Sequence, residues 1–401
     1  MKFNFTGKAV KFSLKMLLFL LRLLGFFPLG YSCKTKYFET SRFLRCYSCV
    51  MLLFYCLGMP YVFWGMVMVR RHPQSYIDHI LIIIQYTTNY AFLVIACVIG
   101  IARIDDIKNV LNKILLIWRF LHMKYYSNRP SSSLMKQFVF KQAFADVVLQ
   151  LTVFYNYFWY GQNVKFNWIP VTGFSALYAI SVFSNAYIAF TFVISHLYLM
   201  INTATNEVII KLETFDRDIS YWKQNPRKKK RICYEVSEQL KEIIHLHQLT
   251  TKTLKQFVSI VGSLLTITFA WTCLLTIYST YFAYVPLVQD ARKSIPYRIE
   301  NYLHCYAMTL FQLMQFYYLV SGSARLTDRA ERTALLMNHF FLCELDEQLE
   351  RTIEQQTTML SLDNFSVETY GMYRIDYTLM YSAVSTITCT LIVMIQFQLT
   401  E

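Results

Sequence analysis

The sequence is short of the features that mark a soluble protein. Only 11 of its 401 residues are glycine, whereas 55% are apolar and 17% are aromatic. The mean hydropathy is +0.32. A soluble domain of this length has a more polar composition, because its surface must face water. The solvent of this chain is therefore expected to be mostly lipid.

The chain also lacks paired extracellular cysteines. Most of its ten cysteines fall within apolar runs or in segments expected in the cytoplasm. No disulfide framework for an external domain is therefore predicted. Cys46 and Cys49 form a Cys-x-x-Cys at the start of an apolar run. There, helix packing is favoured over redox or metal chemistry. We predict no cofactor and no metal site.

What the chain does contain is a series of long apolar runs. A spanning helix needs about 20 mostly apolar residues at a rise of about 1.5 Å each. Seven runs meet this length, and they are numbered as spans 1 to 7. They are Leu44 to Val69, Ile77 to Ala102, Phe138 to Tyr160, Val171 to Asn202, Leu254 to Leu287, Tyr302 to Ser323 and Tyr377 to Gln398. We therefore expect an all-α integral membrane protein with seven transmembrane helices.

Basic residues predict the orientation of these spans. When a basic residue near the end of a span is counted with the neighbouring loop, 9 Lys or Arg lie before span 1. Another 8, 11 and 5 follow spans 2, 4 and 6, so these four segments hold 33 of the 39. Basic loops stay in the cytoplasm, so we expect a cytoplasmic N-terminus and an extracellular C-terminus. The net charge of +14 then needs no nucleic acid as a partner. The basic run Arg227 to Arg231 is interpreted as a topology signal attracted to anionic lipid.

Amphipathic stretches next to the spans predict a cytoplasmic layer of helices. The helical pattern of span 4 continues to about Leu212, well beyond the hydrocarbon core. Similar polar stretches precede span 5 and follow span 6, at Tyr234 to Lys255 and Arg325 to Glu354. These anchor helices are a natural place for subunits to assemble. The predicted divisions are 1–43 (N-terminal segment with an interfacial helix), 44–323 (spans 1 to 6), 203–253 and 324–374 (anchor helices) and 375–401 (last helix).

Span 7 carries a stripe of small and polar side chains. The stripe consists of Thr378, Ser382, Ser385, Cys389, Ile392 and Gln396. These residues recur at intervals of four and three, so they share one face of a helix. Polar groups are costly at bilayer depth, so this face is expected to meet another helix or water. Two explanations of the stripe, helix packing and a pore lining, therefore stay open. One such helix cannot enclose a pore, but a symmetric ring of four can.

The end of span 7 also follows a recognisable pattern. Cys389 and Thr390 precede five apolar residues, and these are followed by Gln396 and Phe397. This run resembles the signature of the insect gustatory receptors, which is Thr-Tyr, five apolar residues and Gln-Phe; the first two positions depart from it. Three further segments are similar to family patterns: Leu23 to Leu29, Ala330 to Leu336 and Gly371 to Asp376. The resemblance covers essentially the whole chain.

The resemblance implies a ligand-gated, nonselective cation channel in the plasma membrane of a sensory neuron, and not an enzyme. Four copies of the chain, alone or with related receptors, would surround a central pore lined by the last helix. A small-molecule tastant would open it to permeating cations, with membrane lipid around the tetramer. The implied gate is Gln396 with Phe397. The residues assigned to the pore and gate are Gln396, Phe397, Ile392, Val393, Cys389 and Ser385.

Candidates for the ligand pocket are aromatic and amide side chains in the predicted outer halves of the spans. Such groups suit a small polar or alkaloid-like ligand. They are Gln85, Tyr86, Tyr90, Asn156, Trp159, Tyr178, Asn185, Trp271, Tyr278, Tyr306 and Gln312. We expect about a third of them to touch ligand, because most aromatic residues only pack. A bitter compound is favoured, since the set is more aromatic than acidic.

Two other classes stay open and are ranked below the channel. A seven-helix G-protein-coupled chemoreceptor needs an external N-terminus and usually an Asn-Pro-x-x-Tyr in its last helix, but span 7 contains no proline. A transporter or intramembrane enzyme needs carboxylates at bilayer depth, and Asp146 is the clearest one within a span. The chain also shows no internal repeat and no matched pair of Pro- or Gly-interrupted spans.

Overall fold

The described residues form a mostly helical chain. The computed structural model describes residues 3–69, 76–125, 132–155, 168–216, 226–292, 299–342, 346–362 and 365–400. The helices are α1 (Phe3–Leu23), α2 (Arg42–Val69), α3 (Tyr76–Ala102), α4 (Ile104–Lys124), α5 (Ser132–Lys141), α6 (Gln150–Tyr155), α7 (Trp168–Asp216), α8 (Pro226–Arg292), α9 (Ile299–Met337), α10 (Glu347–Leu362) and α11 (Tyr377–Thr400). A π-helix, Gln142–Leu149, joins α5 to α6, and a 3-10 helix, Asn338–Leu342, follows α9.

Two short antiparallel hairpins complete the described elements. Strand β1 (Leu29–Tyr31) pairs with β2 (Phe38–Thr40). Strand β3 (Glu368–Thr369) pairs with β4 (Tyr373–Arg374) just before α11. Neither hairpin was predicted, because strands of two or three residues are too short for an alternating pattern to show.

The predicted spans correspond to helices. Spans 1, 2 and 7 match α2, α3 and α11 to within two residues at each end. Span 3 corresponds to α5, the π-helix and α6, and its last predicted residues, 156–160, lie outside the described ones. By length and composition, the helices of the described chain that can cross a membrane are Ile83–Ala102, Ala176–Thr214, Pro226–Tyr284 and Tyr377–Gln396. These candidates support a multi-pass membrane protein, while the number of seven spans and their orientation stay predictions.

The predicted anchor helices are continuous with spans 4, 5 and 6. Helix α7 runs on to Asp216, and α8 joins the amphipathic stretch to span 5 in a single helix of 67 residues. At about 1.5 Å per residue α8 is about 100 Å long, roughly three times the hydrocarbon thickness. Helix α9 extends span 6 to Met337, and α10 carries the rest of that amphipathic stretch.

Helix α4 lies in a predicted loop and was not predicted as a helix. Its buried residues Val110, Ile114, Ile117 and Leu121 recur at intervals of four, three and four. Such a stripe is the usual signature of an amphipathic helix. The helix packs against α8 and α7 and would add a further element to the predicted layer of anchor helices.

Polar contacts hold the long helices together beside their apolar core. The Thr333 hydroxyl donates to Asn202 Oδ1 at 2.7 Å, and the Asn202 amide donates to the Arg329 carbonyl at 2.8 Å. Tyr198 and Thr251 share a hydrogen bond between hydroxyls of 2.7 Å. Side chains from α7, α8 and α9 are therefore satisfied by one another, which is what burial of polar groups requires. Thr333 belongs to one of the three segments on which the family resemblance rests.

Candidate functional site

The start of α11 is fixed by the β3–β4 hairpin. Tyr370 and Gly371 form its turn with positive φ, and a Cβ placed on Gly262 of α8 would lie 3.0 Å from the Tyr370 ring. The Tyr373 hydroxyl donates to Thr266 Oγ1 of α8 at 3.2 Å. Asp376 then caps α11, because its Oδ1 accepts from the backbone N–H groups of residues 378 and 379 at 2.9 and 3.2 Å.

Beyond this start, α11 leaves its polar stripe uncovered. All six stripe residues are exposed within the single chain: Thr378, Ser382, Ser385, Cys389, Ile392 and Gln396. The other side of its first two turns packs on the core through Leu379, Met380 and Ala383. The prediction that the stripe shares one helix face is therefore confirmed, and that face points away from the helices of its own chain.

The hydroxyls of α11 fall into two groups. Those of Thr386, Thr388 and Thr390 donate to carbonyls four residues earlier, at 2.8 to 2.9 Å, so they need no outside partner. Within the described chain, the hydroxyls of Ser382 and Ser385 make no hydrogen bond. Among the described serine and threonine side chains of α11, those whose hydroxyls are left for water or another molecule are thus on the stripe.

The predicted gate lies at the far end of α11. Ile392 and Val393 are 50% and 48% exposed, and Gln396 is the last residue whose side chain is described. Phe397 follows in the same helix, but its side chain lies outside the described ones. The gate assignment stays a prediction.

A closed polar cluster lies where the π-helix meets α7. The fully buried Lys141 ammonium donates to both Asp146 oxygens, at 2.9 and 3.1 Å, and also to the Asn185 carbonyl oxygen. Asp146 accepts further from the Ser181 hydroxyl at 3.0 Å and from the Asn185 amide at 2.8 Å. Burying a charge is costly unless it is paired and hydrogen-bonded. Here both charges have several partners.

The π-helix explains why this pair was missed. Sequence reasoning singled out Asp146 but gave it no partner, because in an α-helix residues five apart lie about 140° apart around the axis. A π-helix bonds residues five apart. Its wider turn brings Lys141 and Asp146, five residues apart, to one side. Such insertions are frequent at functional sites, and basic residues at bilayer depth were the signal available in the sequence.

The predicted ligand candidates have different environments. Asn185 takes part in the polar cluster, and Tyr178 is partly buried against the core. Tyr90, Trp271 and Gln312 are buried, whereas Gln85 is half-buried.

Other candidates are less enclosed or lie outside the description. Tyr278 contacts the Phe282 ring with centroids 4.4 Å apart, and Tyr306 is 41% exposed. Asn156 and Trp159 lie outside the described residues, as does the side chain of Tyr86. The structure therefore brings Asn185 into a polar site and leaves a common pocket for the full set as a prediction.

Several buried polar atoms of the helical bundle have no hydrogen-bond partner among the described residues. They include the Trp271 indole N–H, both side-chain atoms of Asn89 and of Gln315, and Gln150 Nε2. Apart from Trp271, sequence reasoning did not select these residues. Buried polar groups are nearly always paired, so unpaired amides inside a bundle mark places where a polar ligand or water can bind.

The family follows from the sequence as a whole. Residues 14–401 match the 7tm chemosensory receptor family. The chain belongs to this family. The resemblance inferred from the end of span 7 is thus confirmed, and the family is one of receptors rather than enzymes.

Solved structures support the same fold for this chemosensory receptor. The insect olfactory receptor OR5 from Machilis hrabei is similar, with a TM-score of 0.63, 12% identity, and coverage of 96% of this chain and 98% of that one. The same receptor in complex with eugenol has a TM-score of 0.57 at 12% identity, covering 97% and 98%. Identity this low shows the fold alone. No functionally curated protein matches the sequence.

Proposed function

We propose that this chemosensory receptor is a gustatory-type, ligand-gated and nonselective cation channel of the plasma membrane of sensory neurons. Four copies surround a central pore lined by α11, and a small-molecule tastant, for which a bitter compound is favoured, opens it. The N-terminus and the anchor helices are cytoplasmic.

The observation that carries this proposal is that α11 is not buried within its own chain. None of its membrane-length window is buried within the chain, although it bears Ser382, Ser385 and Gln396. Polar groups facing lipid cost free energy at bilayer depth. A stripe that its own chain leaves uncovered is accounted for when copies of α11 surround water on a symmetry axis.

The helical phase suggests how the gate works. Gln396 continues the stripe, and Phe397 lies about 100° around the helix from it. A modest rotation of α11 therefore exchanges a ring of phenyl groups for a ring of amides. Four phenyl groups at the axis exclude water, and a dewetted constriction blocks ions without a charged barrier. Four neutral amides then pass cations with little discrimination.

The ligand is proposed to bind among the buried polar groups of the bundle. Asn185 and the unpaired amides of Asn89 and Gln315 provide donors and acceptors in mostly apolar surroundings, which is the usual composition of a small-molecule site. The eugenol complex of the olfactory receptor with this fold supports binding of a small molecule.

Currents from cells that express the chain alone test the pore. Phe397→Ala should raise ligand-independent current, because the apolar ring is lost. Gln396→Glu should shift permeability towards divalent cations, and Gln396→Leu should reduce conductance. Met394→Leu, on the other side of α11, is the matched control and should conduct like the parent. If all three gate variants reach the surface and behave like the control, the gate does not lie at this pair, and Ile392 and Val393 are the next positions to test.

Two epitope tags test the orientation. A tag before Met1 should bind antibody only after permeabilisation, and a tag after Glu401 should bind without it. The reverse pattern would contradict the channel topology and favour a G-protein-coupled receptor.

A further inference from the structure

A cavity of about 290 Å³ lies between the first turns of α8 and the start of α10. The side chains that matter here are Arg227, Lys230, Arg231 and Ser237 from α8 and Asp346 beside α10. Lys230, Arg231 and Ser237 lie three, four and ten positions after Arg227, so the four residues share one side of the helix. We name this site the basic cavity.

The charge of the basic cavity is strongly one-sided. Three cations face a single carboxylate, that of Asp346. In the described part of the chain, Arg227 and Lys230 have no ion pair or hydrogen bond. Arg231 contacts Glu235 at 3.2 Å, but the two side chains are 81% and 44% exposed, so the pair is weak.

The start of α8 increases this positive potential. Helix α8 begins at Pro226 beside the cavity and has no acidic residue in its first turn, whereas the first turn of α10 contains Glu347 and Glu350, which offset its own dipole. A helix N-terminus carries a partial positive charge and normally attracts acidic side chains. The first turn of α8 contains basic residues instead, which repel its own dipole. The bound group that would relieve this repulsion is an anion.

An unpaired hydroxyl on an otherwise buried residue of the cavity lining gives a second, independent mark of a binding site. Ser237 is 5% exposed and lines the cavity, yet its hydroxyl has no hydrogen-bond partner among the residues that the structure describes. It lies about 15 Å along the helix axis from Arg227. Buried hydroxyls are normally paired. A ligand that reaches Ser237 while it contacts the cations at the helix start would supply the missing acceptor.

We propose that the basic cavity binds a small soluble anion with two or more phosphate groups. Arg guanidinium groups bind phosphate in a bidentate manner and Lys binds it as a point charge. Arg231 precedes the predicted start of span 5 at Leu254 by 23 residues, about 35 Å along α8. A soluble phosphate compound reaches a site this far from the membrane more easily than a lipid headgroup does. In the proposed orientation the cavity faces the compartment rich in phosphorylated metabolites.

Titration calorimetry on the purified full-length chain in detergent tests the proposal, with sodium tripolyphosphate as the probe and sulfate at equal ionic strength as the reference. We expect saturable binding of tripolyphosphate. The triple variant Arg227→Gln/Lys230→Gln/Arg231→Gln should bind at least about tenfold more weakly, which is the loss expected when one charge-assisted hydrogen bond is removed. The single variant Lys230→Gln, at an exposed position, should show a smaller loss with unchanged thermal stability.

The matched control removes three basic residues of the same helix that do not line the cavity, in Lys228→Gln/Lys229→Gln/Lys241→Gln. It should retain binding within about threefold of the parent, since long-range charge alone is screened by salt. Equal losses in both triple variants, or no saturable binding by the parent, would overturn the proposal. Binding confined to phosphatidylcholine vesicles that contain phosphatidylinositol bisphosphate would overturn the choice of a soluble ligand. The assay needs no ion conduction, so its failure leaves the pore proposal standing.

Discussion

Helices α7 and α11 are both long and apolar enough to cross a membrane, yet the chain buries them very differently. In α7, 83% of the membrane-length window is buried, and in α11 none of it is. Their hydropathy is similar, so composition does not explain the contrast. Tyr187, Ile194 and Ile201 of α7 are at most 1% exposed, whereas Ser385 and Ile392 of α11 are exposed.

The difference separates two kinds of apolar helix. Helix α7 is the centre of a core that one chain completes, and two of its buried polar residues, Asn202 and Asn185, are paired within that chain. Helix α11 is attached mainly through its first two turns and depends on lipid, water or further copies for the rest. The following changes test this contrast, from the largest expected effect to the smallest.

The largest effect is expected at the buried ion pair. Lys141→Met leaves the Asp146 carboxylate without its cation, and breaking such a pair costs about 3–5 kcal/mol. The unfolding temperature of the purified protein and its expression at the cell surface should both fall sharply. The double variant Lys141→Met/Asp146→Leu should recover a large part of the loss, because no charge is left buried.

Lys136→Met is the matched control for this change, since Lys136 is an exposed residue of the same helix, α5. It should unfold like the parent. Unchanged stability of Lys141→Met would mean that the ammonium is not in the core. A double variant as unstable as the single one would mean that packing, not charge, holds the site.

The second change compares the two helices directly. Ile201→Ala on α7 removes a side chain with no exposed surface and should cost about 2–5 kcal/mol through lost burial and the cavity left behind. Ile392→Ala on α11 should change the free energy of unfolding of the isolated subunit by less than about 0.5 kcal/mol. Thermal unfolding of dissociated subunits measures both. Similar losses in the two variants would remove the contrast between the helices.

The same contrast shows which parts of the molecule the sequence could predict. Apolar runs located α2, α3 and α11 to within two residues, because length and hydropathy decide whether a helix can span. The same runs could not show which helices are buried and which are exposed, because burial depends on contacts between residues far apart along the chain. The stripe of Ser382 and Ser385 was predictable, since helical phase alone determines it. The partner of Asp146 was not, because a local π-helix changes that phase.

The third change weakens the start of α11. Asp376→Ala removes the acceptor for two backbone N–H groups, and loss of such a cap typically costs about 1 kcal/mol. Asp376→Asn keeps a capping oxygen and should lower the free energy of unfolding by only a few tenths of a kcal/mol. Hydrogen exchange of the first turn of α11 should increase in the alanine variant and stay close to the parent in the asparagine variant. Equal exchange in both would show that the hairpin, not the cap, holds the helix start.

The smallest effect is expected in the hairpin that joins α11 to the rest of the chain. Hydrogen bonds from the Ser366 hydroxyl and from the Arg374 guanidinium, the latter at 2.9 Å, lower the pKa of Glu368. A carboxyl group with a lowered pKa in the folded state stabilises that state above its ordinary pKa. The contribution disappears as the pH falls through the lowered value. Because 37% of the Glu368 side chain is exposed, the contribution of the pair is expected to be only a few tenths of a kcal/mol.

Arg374→Gln should therefore lower the unfolding temperature slightly at neutral pH, and the difference should vanish in acid. Arg351→Gln breaks a pair in which both side chains are 77% exposed and should have no effect at either pH. A difference for Arg374→Gln that persists in acid would assign the role of Arg374 to packing rather than to its charge.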